Sequence, residues 1–82
     1  MKIVKLTDIA RKNINKLPED IKKKIYNKIK GLPAGKSRYK RLQDSSLHSC
    51  RMGDYRIIFE IILSGDYIIR TVRHRKEVYR DL

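Results

Sequence analysis

The spacing of apolar residues changes once along the chain, from a helical period in its first half to a strand period in its second half. Within residues 7–33, apolar side chains recur at intervals of three or four, as at Ile21, Ile25 and Ile29. This spacing is typical of helices that bury one face. Within residues 47–73 the period becomes that of strands, interrupted by short polar turns. The pattern predicts two helices followed by a sheet.

The boundaries of the two helices are set by residues that begin or end helical structure. Thr7 or Asp8 offers a side-chain oxygen to the first free amides of the first helix. Pro18 ends that helix, because the residue before a proline avoids the helical region, and it also suits the first turn of the second helix. Gly31 and Pro33 end the second helix. The two helices are therefore predicted to form an antiparallel hairpin with a short connection.

A short first strand is predicted at residues 1–6, and residues 34–46 have the character of a loop. The remaining strands are predicted at Leu47–Met52, Tyr55–Leu63 and Tyr67–Arg73, with turns at Gly53-Asp54 and Ser64-Gly65-Asp66. The prediction is an α+β fold, in which the N-terminal strand and the helical hairpin pack on a small, mostly antiparallel four-stranded sheet. The first strand can lie beside the second or pair in parallel with a later one, and the sequence leaves both open.

The strong positive charge of the chain limits the kinds of partner that it is expected to bind. Lysine and arginine total 21 against 9 acidic residues, which gives a formal net charge of +12 on 82 residues. A surplus of this size attracts polyanions, so nucleic acid is the first partner to consider. A solubilising surface and a surface neutralised by an acidic protein are the alternatives.

The lone Cys50 excludes an intrachain disulfide and is compatible with a reducing compartment. No apolar signal segment begins the chain, and no apolar run approaches the roughly 20 residues that span a bilayer. We expect a soluble cytoplasmic protein without a membrane partner.

Arginines occupy the strands that the pattern predicts. Alternate residues of a strand share a face, so the set with Ile57 and Phe59 is expected to face the helices and Arg56 the opposite side. Strict alternation in the last strand groups Arg73 with Ile69. We expect Arg56 to meet one or more arginines of neighbouring strands on the helix-free face. The candidates for this contact are Arg51, Arg70 and Arg73.

The segment before these strands is basic and carries one aromatic residue. Arg38, Lys40 and Arg41 flank Tyr39. Basic side chains interleaved with an aromatic ring suit a surface that contacts phosphates and bases. We therefore predict phosphate or RNA contacts for these three cations.

Two motifs in the second half together resemble a known superfamily. Residues 51–59 read Arg-Met-Gly-Asp-Tyr-Arg-Ile-Ile-Phe, and residues 74–79 read His-Arg-Lys-Glu-Val-Tyr. With the helical hairpin before them and the length of the chain, they resemble the RelE/ParE superfamily of bacterial and archaeal toxins. The resemblance covers essentially the whole chain. It implies a single RelE-like toxin domain over residues 1–82, with the RelE-like microbial ribonuclease type of fold.

The RelE branch implies a ribosome-dependent endoribonuclease that inhibits translation. Such an enzyme cleaves messenger RNA in the ribosomal A site, beside ribosomal RNA, by attack of a 2′-OH group and without a metal or cofactor. Arg56 matches the arginine of the strand motif and would stabilise the phosphorane, since arginine is planar and permanently charged. Arg75, or Arg73 if the register shifts, matches the arginine of the last motif. Tyr79 would stack on or orient the substrate, and His74 would carry a proton. Arg51 matches a recurrent basic position of the preceding strand.

Two positions depart from the pattern of this branch. The RelE prototype has two lysines on the strand before the turn, one of which is a candidate base, whereas this sequence has Leu47 and Ser49 there. His74, Lys40 or a ribosomal group could take over the proton transfer.

The resemblance also implies a partner and leaves two other functions open. A toxin of this kind is held inactive by an antitoxin, and the net charge predicts an acidic antitoxin segment that folds on binding. The alternatives are a ParE-like inhibitor of DNA gyrase and a catalytically weak nucleic-acid-binding member of the superfamily.

Overall fold

The computed structural model describes residues 3–76, which form two helices and a sheet of five strands. The elements are β1 (Val4–Leu6), α1 (Asp8–Asn15), α2 (Glu19–Gly31), β2 (Lys40–Arg41), β3 (Leu47–Met52), β4 (Tyr55–Ile61) and β5 (Tyr67–His74). The α+β class is confirmed, and so is the order of a strand, a helical hairpin and a meander. No helix in this part of the chain is long and apolar enough to cross a membrane.

The strands lie in the order β1-β5-β4-β3-β2. β1 pairs in parallel with β5, which settles the placement that the sequence leaves open, and the other neighbours are antiparallel. The prediction of four strands is wrong by one, because Lys40 and Arg41 pair with Ser49 and His48 at the edge of the sheet. Both cations are exposed, so this short strand carries no apolar alternation that a sequence pattern could show.

The first helix begins where the sequence predicts, and the second begins one residue later. The Thr7 hydroxyl accepts a hydrogen bond from the Ala10 amide at 3.1 Å, so Thr7 is the cap of α1. Pro18 stands at the cap position of α2, one residue before the first helical turn that the sequence assigns to it. Both helices bury apolar side chains, among them Ile14 of α1 and Ile25 of α2.

One face of the sheet forms the core with the two helices. Its central side chains are Ile57, Phe59 and Ile69, all 0% exposed. Burial of each such side chain contributes about 1.5–3 kcal/mol. The core also includes Ala10, Ile14, Ile25, Ile29, Leu32, Cys50, Met52, Tyr67 and Val72. The opposite side chains of β3, β4 and β5 therefore point away from this packing.

A β-bulge interrupts the pairing of β4 and β5 and corrects the alternation expected for the last strand. Ile58 pairs with Thr71 but Phe59 pairs with Ile69, so Arg70 is the extra residue. Ile69 and Val72 are consequently both buried although they are three residues apart. The grouping of Arg73 with Ile69 is wrong, because the bulge moves Arg73 to the other face.

Candidate nucleic-acid site on the sheet face opposite the helices

Three arginines of neighbouring strands stand side by side on the face opposite the core. Arg51 of β3 pairs with Arg56 of β4, and Arg56 pairs with Arg73 of β5. Directly opposite residues point to the same face, with Cβ atoms about 4.5–5.5 Å apart. We call these three residues the arginine row. Three positive charges this close together create a positive potential at the centre of this face. They also repel each other, as like charges at directly opposite strand positions do.

The turn between β3 and β4 fixes the register of the row. Gly53 has a φ of +58°, which suits the first central position of a two-residue hairpin loop. The Arg51 Nε donates a hydrogen bond to the Gly53 carbonyl at 3.2 Å. The Arg75 amide, just past β5, donates to the Asp54 carbonyl at 2.6 Å. The same turn therefore pairs Arg51 with Arg56 and draws Arg75 towards them.

Two cavities flank the first two arginines of the row. The smaller has a volume of about 80 Å³ and is lined by Arg51, Gly53, Asp54, Tyr55, Arg56 and Arg75. The larger has a volume of about 320 Å³ and is lined by Arg38, Tyr39, Lys40, Ser49, Arg51 and Arg56. Arg51 and Arg56 line both. The two cavities thus form one positively charged depression that runs from the β3–β4 turn to the β2 edge.

Predicted phosphate-binding residues meet in this depression. The structure brings Arg38, Lys40, Arg51, Arg56 and Arg75 to the two cavities and sets Arg73 beside Arg56. Guanidinium groups contact two phosphate oxygens at once, and fixed cations stabilise charge that develops on a transferring phosphoryl group. The arrangement can therefore bind phosphodiester groups and stabilise a phosphorane.

The residues that replace the expected strand lysines differ in their surroundings. Ser49 is 6% exposed and pairs directly with Lys40 of β2. Leu47 pairs with Glu60. Lys40 thus stands in the row of side chains next to Ser49, and it enters the larger cavity from the neighbouring strand.

An aromatic cluster that the sequence analysis does not predict anchors the basic segment. The Tyr39 ring meets His48 edge-on at 5.4 Å and Phe59 edge-on at 5.1 Å, while His48 stacks on Phe59 at 5.4 Å between ring centroids. Burial raises the pKa of the Tyr67 hydroxyl, and a hydrogen bond with Tyr39 raises it further. The cluster fixes Tyr39, and with it the backbone that carries Arg38 and Lys40. The cross-strand pairing of His48 with Phe59 was the available signal, since both lie on strands that the sequence predicts.

His74 lies in a different cavity from the arginine row. It pairs with Tyr55, and their rings meet edge-on at 5.2 Å. Both residues line a cavity of about 400 Å³ against α1, together with Asn13, Lys16, Leu17 and Val72. His74 Nδ1 accepts a hydrogen bond from the Lys76 amide at 3.2 Å. Its role as a proton carrier stays a prediction, and this geometry argues against direct contact with a phosphate at Arg56.

Two further predicted residues, Arg41 and Arg70, lie apart from the row. Arg41 pairs with His48, and its Nε donates to the Ser45 carbonyl at 2.8 Å, so it lies on the other side of β2 from Lys40. Arg70 forms an ion pair with Glu60 rather than joining the row. Tyr79 lies outside the described residues, and its role stays a prediction.

Cys50 and the acidic residues are further candidates for a nucleophile and for metal ligands. The Cys50 thiol is buried beneath β3, and burial raises its pKa, which disfavours the reactive thiolate. Residues 3–76 contain no group of three or more His, Cys, Asp or Glu side chains that could hold a metal ion.

Comparison with known proteins identifies relatives of both sequence and fold. A family model described as the ParE toxin of the type II toxin–antitoxin system parDE matches residues 4–79. The toxin–antitoxin complex RelBE2 of Mycobacterium tuberculosis contains a chain that is 26% identical, with a TM-score of 0.72 over 90% of this chain and 98% of that one. None of the curated proteins is a significant match.

Two more distant structures share the fold. One is the RelB–RelE antitoxin–toxin complex of Methanococcus jannaschii, at 24% identity and a TM-score of 0.79 over 95% of this chain and 98% of that chain. The other is the isolated E. coli RelE toxin, at 14% identity and a TM-score of 0.75, with all of both chains covered.

Proposed function

This chain belongs to the RelE/ParE superfamily and is the toxin of a type II toxin–antitoxin system, and from that premise we propose that it is a metal-independent endoribonuclease that cleaves messenger RNA in the ribosomal A site. The observation that carries the proposal is the arginine row beside two cavities. Fixed cations held in cross-strand register suit a phosphodiester on which negative charge develops during cleavage.

In the proposed reaction, the RNA 2′ oxygen bonds to the adjacent phosphorus while the bond from phosphorus to the 5′ oxygen breaks. The products are a 2′,3′-cyclic phosphate and a 5′-hydroxyl end. Arg56, between Arg51 and Arg73, holds the non-bridging oxygens of the phosphorane. Arg75, next to the β3–β4 turn, joins Arg51 and Arg56 as the third cation at the smaller cavity.

We assign proton transfer to Lys40. It lines the larger cavity with Arg51 and Arg56 and pairs with Ser49, where a strand lysine is absent. In its neutral form the Lys40 amine takes the proton of the 2′-OH, and the leaving 5′ oxygen takes a proton from solvent. General acid–base catalysis of this kind contributes about 10²–10⁴-fold to rate.

The proposal includes an antitoxin partner. The M. tuberculosis and M. jannaschii structures are complexes of such toxins with their antitoxins. The net charge of +12 on this chain favours an acidic antitoxin segment that folds over the basic depression and blocks it. The toxin would act in the cytoplasm, on messenger RNA and ribosomal RNA of the translating ribosome.

Gyrase inhibition is the second candidate, because the matching family model is the ParE toxin. In that case the basic surface would contact a protein–DNA complex, and no RNA bond would break. A member that binds nucleic acid without cleaving it is the third.

The deciding experiment compares the two targets side by side. Purified protein is added to a translating extract, and new messenger RNA ends are mapped by primer extension. In parallel, gyrase is assayed for accumulation of cleaved DNA. We expect new RNA ends without cleaved DNA. Cleaved DNA without new RNA ends would select the gyrase inhibitor, and salt-sensitive RNA binding without either effect would select the non-cleaving member.

A further inference from the structure

The edge strand β2 has little side-chain packing of its own. It consists of Lys40 and Arg41, and both side chains are exposed. A strand this short is below the usual length of strands in globular proteins, and the packing of cross-strand side chains is what stabilises a sheet. Contacts outside β2 must therefore help to keep Lys40 beside Ser49 and in the larger cavity.

Two hydrogen-bonded anchors lie on either side of this segment. After β2, the Leu42 amide donates to the Leu47 carbonyl at 2.8 Å, which closes the loop into β3. Before β2, the Ser37 hydroxyl donates to the Lys28 carbonyl at 2.8 Å and so joins the chain to α2. Tyr39 lies between these two anchors, immediately before β2.

Tyr39 ties the start of β2 to the core of the sheet. Its ring meets His48 of β3 and Phe59 of β4 edge-on, at 5.4 and 5.1 Å between ring centroids. Edge-on contacts at these distances are favourable for aromatic rings. Tyr39 also hydrogen-bonds the buried Tyr67 of β5. One side chain thus connects the segment before β2 with three strands.

Tyr39 and Lys40 lie on opposite faces of the sheet. The Tyr39 ring packs on Phe59, a fully buried residue on the face that the helices cover. Lys40 pairs with Ser49, which shares the other face with Arg51 because alternate residues of a strand share a face. The ring can therefore affect Lys40 only through the backbone that joins the two residues.

We propose that Tyr39 is a positioning residue for Lys40: its ring, packed on the helix-covered face, holds β2 on β3 and so keeps Lys40 in the larger cavity on the other face. This inference rests on the proposed RNA cleavage. A misplacement of about 1 Å can cost about 10²-fold in rate. Arg51 and Arg56 belong to β3 and β4, so loss of the Tyr39 ring leaves them in place.

The test separates the rate of cleavage from the affinity for RNA. Single-turnover cleavage is measured on ribosomes with a programmed A site, at saturating toxin, for wild type, Tyr39→Leu and Tyr39→Phe. Each is measured again in a Lys40→Gln background. Affinity is measured on the same ribosomes with a 2′-deoxy nucleotide at the step to be cut, which removes the attacking hydroxyl. Tyr26→Leu is the matched control, because Tyr26 is a partly buried tyrosine of α2 that packs on the core.

Tyr39→Leu should cleave about 10–10²-fold more slowly than wild type, with an affinity within a few-fold, since the arginines stay in place. In the Lys40→Gln background the same substitution should slow cleavage by less than about twofold, because the group that Tyr39 positions is already absent. Tyr39→Phe keeps the ring, and Tyr26→Leu leaves the contacts of β2 unchanged. Both should therefore stay within about threefold of the wild-type rate.

Amide hydrogen exchange tests the packing role without any RNA. The Leu42 amide bonds to the Leu47 carbonyl and reports whether the chain stays on β3. Tyr39→Leu should speed its exchange by about fivefold to 150-fold, as for the loss of two edge-on aromatic contacts. The Val72 amide of β5, which bonds to Asn13, should be affected less. Tyr39→Met takes the place of Tyr39→Leu throughout if the leucine variant does not fold.

A folded variant without the ring that cleaves at the wild-type rate overturns the inference. So does a rate loss that is equally large in the Lys40→Gln background, a loss confined to affinity, or unchanged exchange of the Leu42 amide. If the wild type cuts RNA and the variant does so equally well, the positioning role is wrong and the proposed function stands. If the wild type cuts no RNA while the variant exchanges faster at Leu42, the proposed function fails and the packing role of Tyr39 stands.

Discussion

Asn13 of α1 is predicted to hold the bulge that brings Arg73 beside Arg56. Its Oδ1 accepts hydrogen bonds from the Thr71 hydroxyl at 2.8 Å and from the Val72 amide at 3.1 Å. β1 pairs only with Tyr67–Ile69 of β5. Beyond the end of β1, the Asn13 side chain therefore provides the hydrogen-bond acceptor for the Val72 amide of β5. The contact lies immediately after the extra residue of the bulge.

Asn13→Ala should destabilise the fold by about 2 kcal/mol. Each lost hydrogen bond costs about 1 kcal/mol, and the partly buried Val72 amide is left without its acceptor, which adds to the cost. Alanine returns about 0.5 kcal/mol through its higher helix propensity. A chain of 82 residues has a total stability of about 4–12 kcal/mol, so this is a large share. The melting temperature should fall by about 8–16 °C.

The control for this prediction is Asn15→Ala, at an exposed position of the same helix with no side-chain hydrogen bond described. It should leave the melting temperature within about 2 °C, because exposed substitutions of this kind change stability by less than about 0.5 kcal/mol. A double-mutant cycle of Asn13→Ala with Thr71→Val should give a coupling of about 0.5–1.5 kcal/mol. Equal melting temperatures for the two alanine variants, or a coupling of zero, would refute the role of Asn13 at the bulge.

Three further predictions concern single groups. Lys40→Gln and Lys40→Arg should both lower the rate of single-turnover RNA cleavage by about 10²–10⁴-fold. The control, Arg41→Gln, lies on the other side of β2 and should change the rate far less. A wild-type rate of cleavage by Lys40→Arg would exclude proton transfer by Lys40. Cys50 is buried, and burial raises the pKa of its thiol. A thiol reagent should therefore label Cys50 no faster than the protein unfolds. Rapid labelling of the native protein at neutral pH would contradict the burial. The Ile3 amide donates to Asp66 at 3.0 Å and lowers the pKa of that carboxyl from its ordinary 3.8. The ionised Asp66 carboxylate therefore stabilises the fold fully at pH values above its ordinary pKa, and this stabilisation is lost as the pH falls through its lowered pKa in the folded protein. The difference in urea midpoint between wild type and Asp66→Ala should shrink from neutral pH to about pH 2, and a difference independent of pH would refute the linkage.

Local signals predicted much of the arginine row. The Gly53-Asp54 turn between two apolar strands determines a two-residue hairpin, and a hairpin of that length places Arg51 opposite Arg56. The helical spacing of apolar residues in α2 and the capping residue Thr7 of α1 were also predicted from short stretches of sequence. The resemblance to the RelE/ParE superfamily, drawn from two short motifs, is confirmed by the family model over residues 4–79. The choice between RNA cleavage and gyrase inhibition stays a prediction.

The features that the sequence did not predict depend on long-range contacts. No local pattern marks the bulge at Arg70, and the hydrogen bonds just after it join Thr71 and Val72 to Asn13, far away in the sequence. β2 forms because its backbone finds the edge of β3, although both of its side chains are charged and exposed. The contact of Tyr39 with Phe59 joins a loop to a central strand. The bulge sets Arg73 beside Arg56, and the pairing of β2 with β3 brings Lys40 to the larger cavity, which is why this arrangement could not be seen in the sequence.

The central claim is that the arginine row is an RNA-cleaving site. The most direct test is the single-turnover rate of messenger RNA cleavage on purified ribosomes with a programmed A site, for wild type, Arg56→Ala and Arg70→Ala. Both substitutions remove one positive charge from neighbouring strands, but Arg70 pairs with Glu60 outside the row. If the row acts as proposed, Arg56→Ala should slow cleavage by about 10²–10³-fold, and Arg70→Ala should stay within a few-fold of wild type, with both variants folded. Equal rates for the two variants, or a folded wild type that leaves the messenger RNA intact, would contradict the claim.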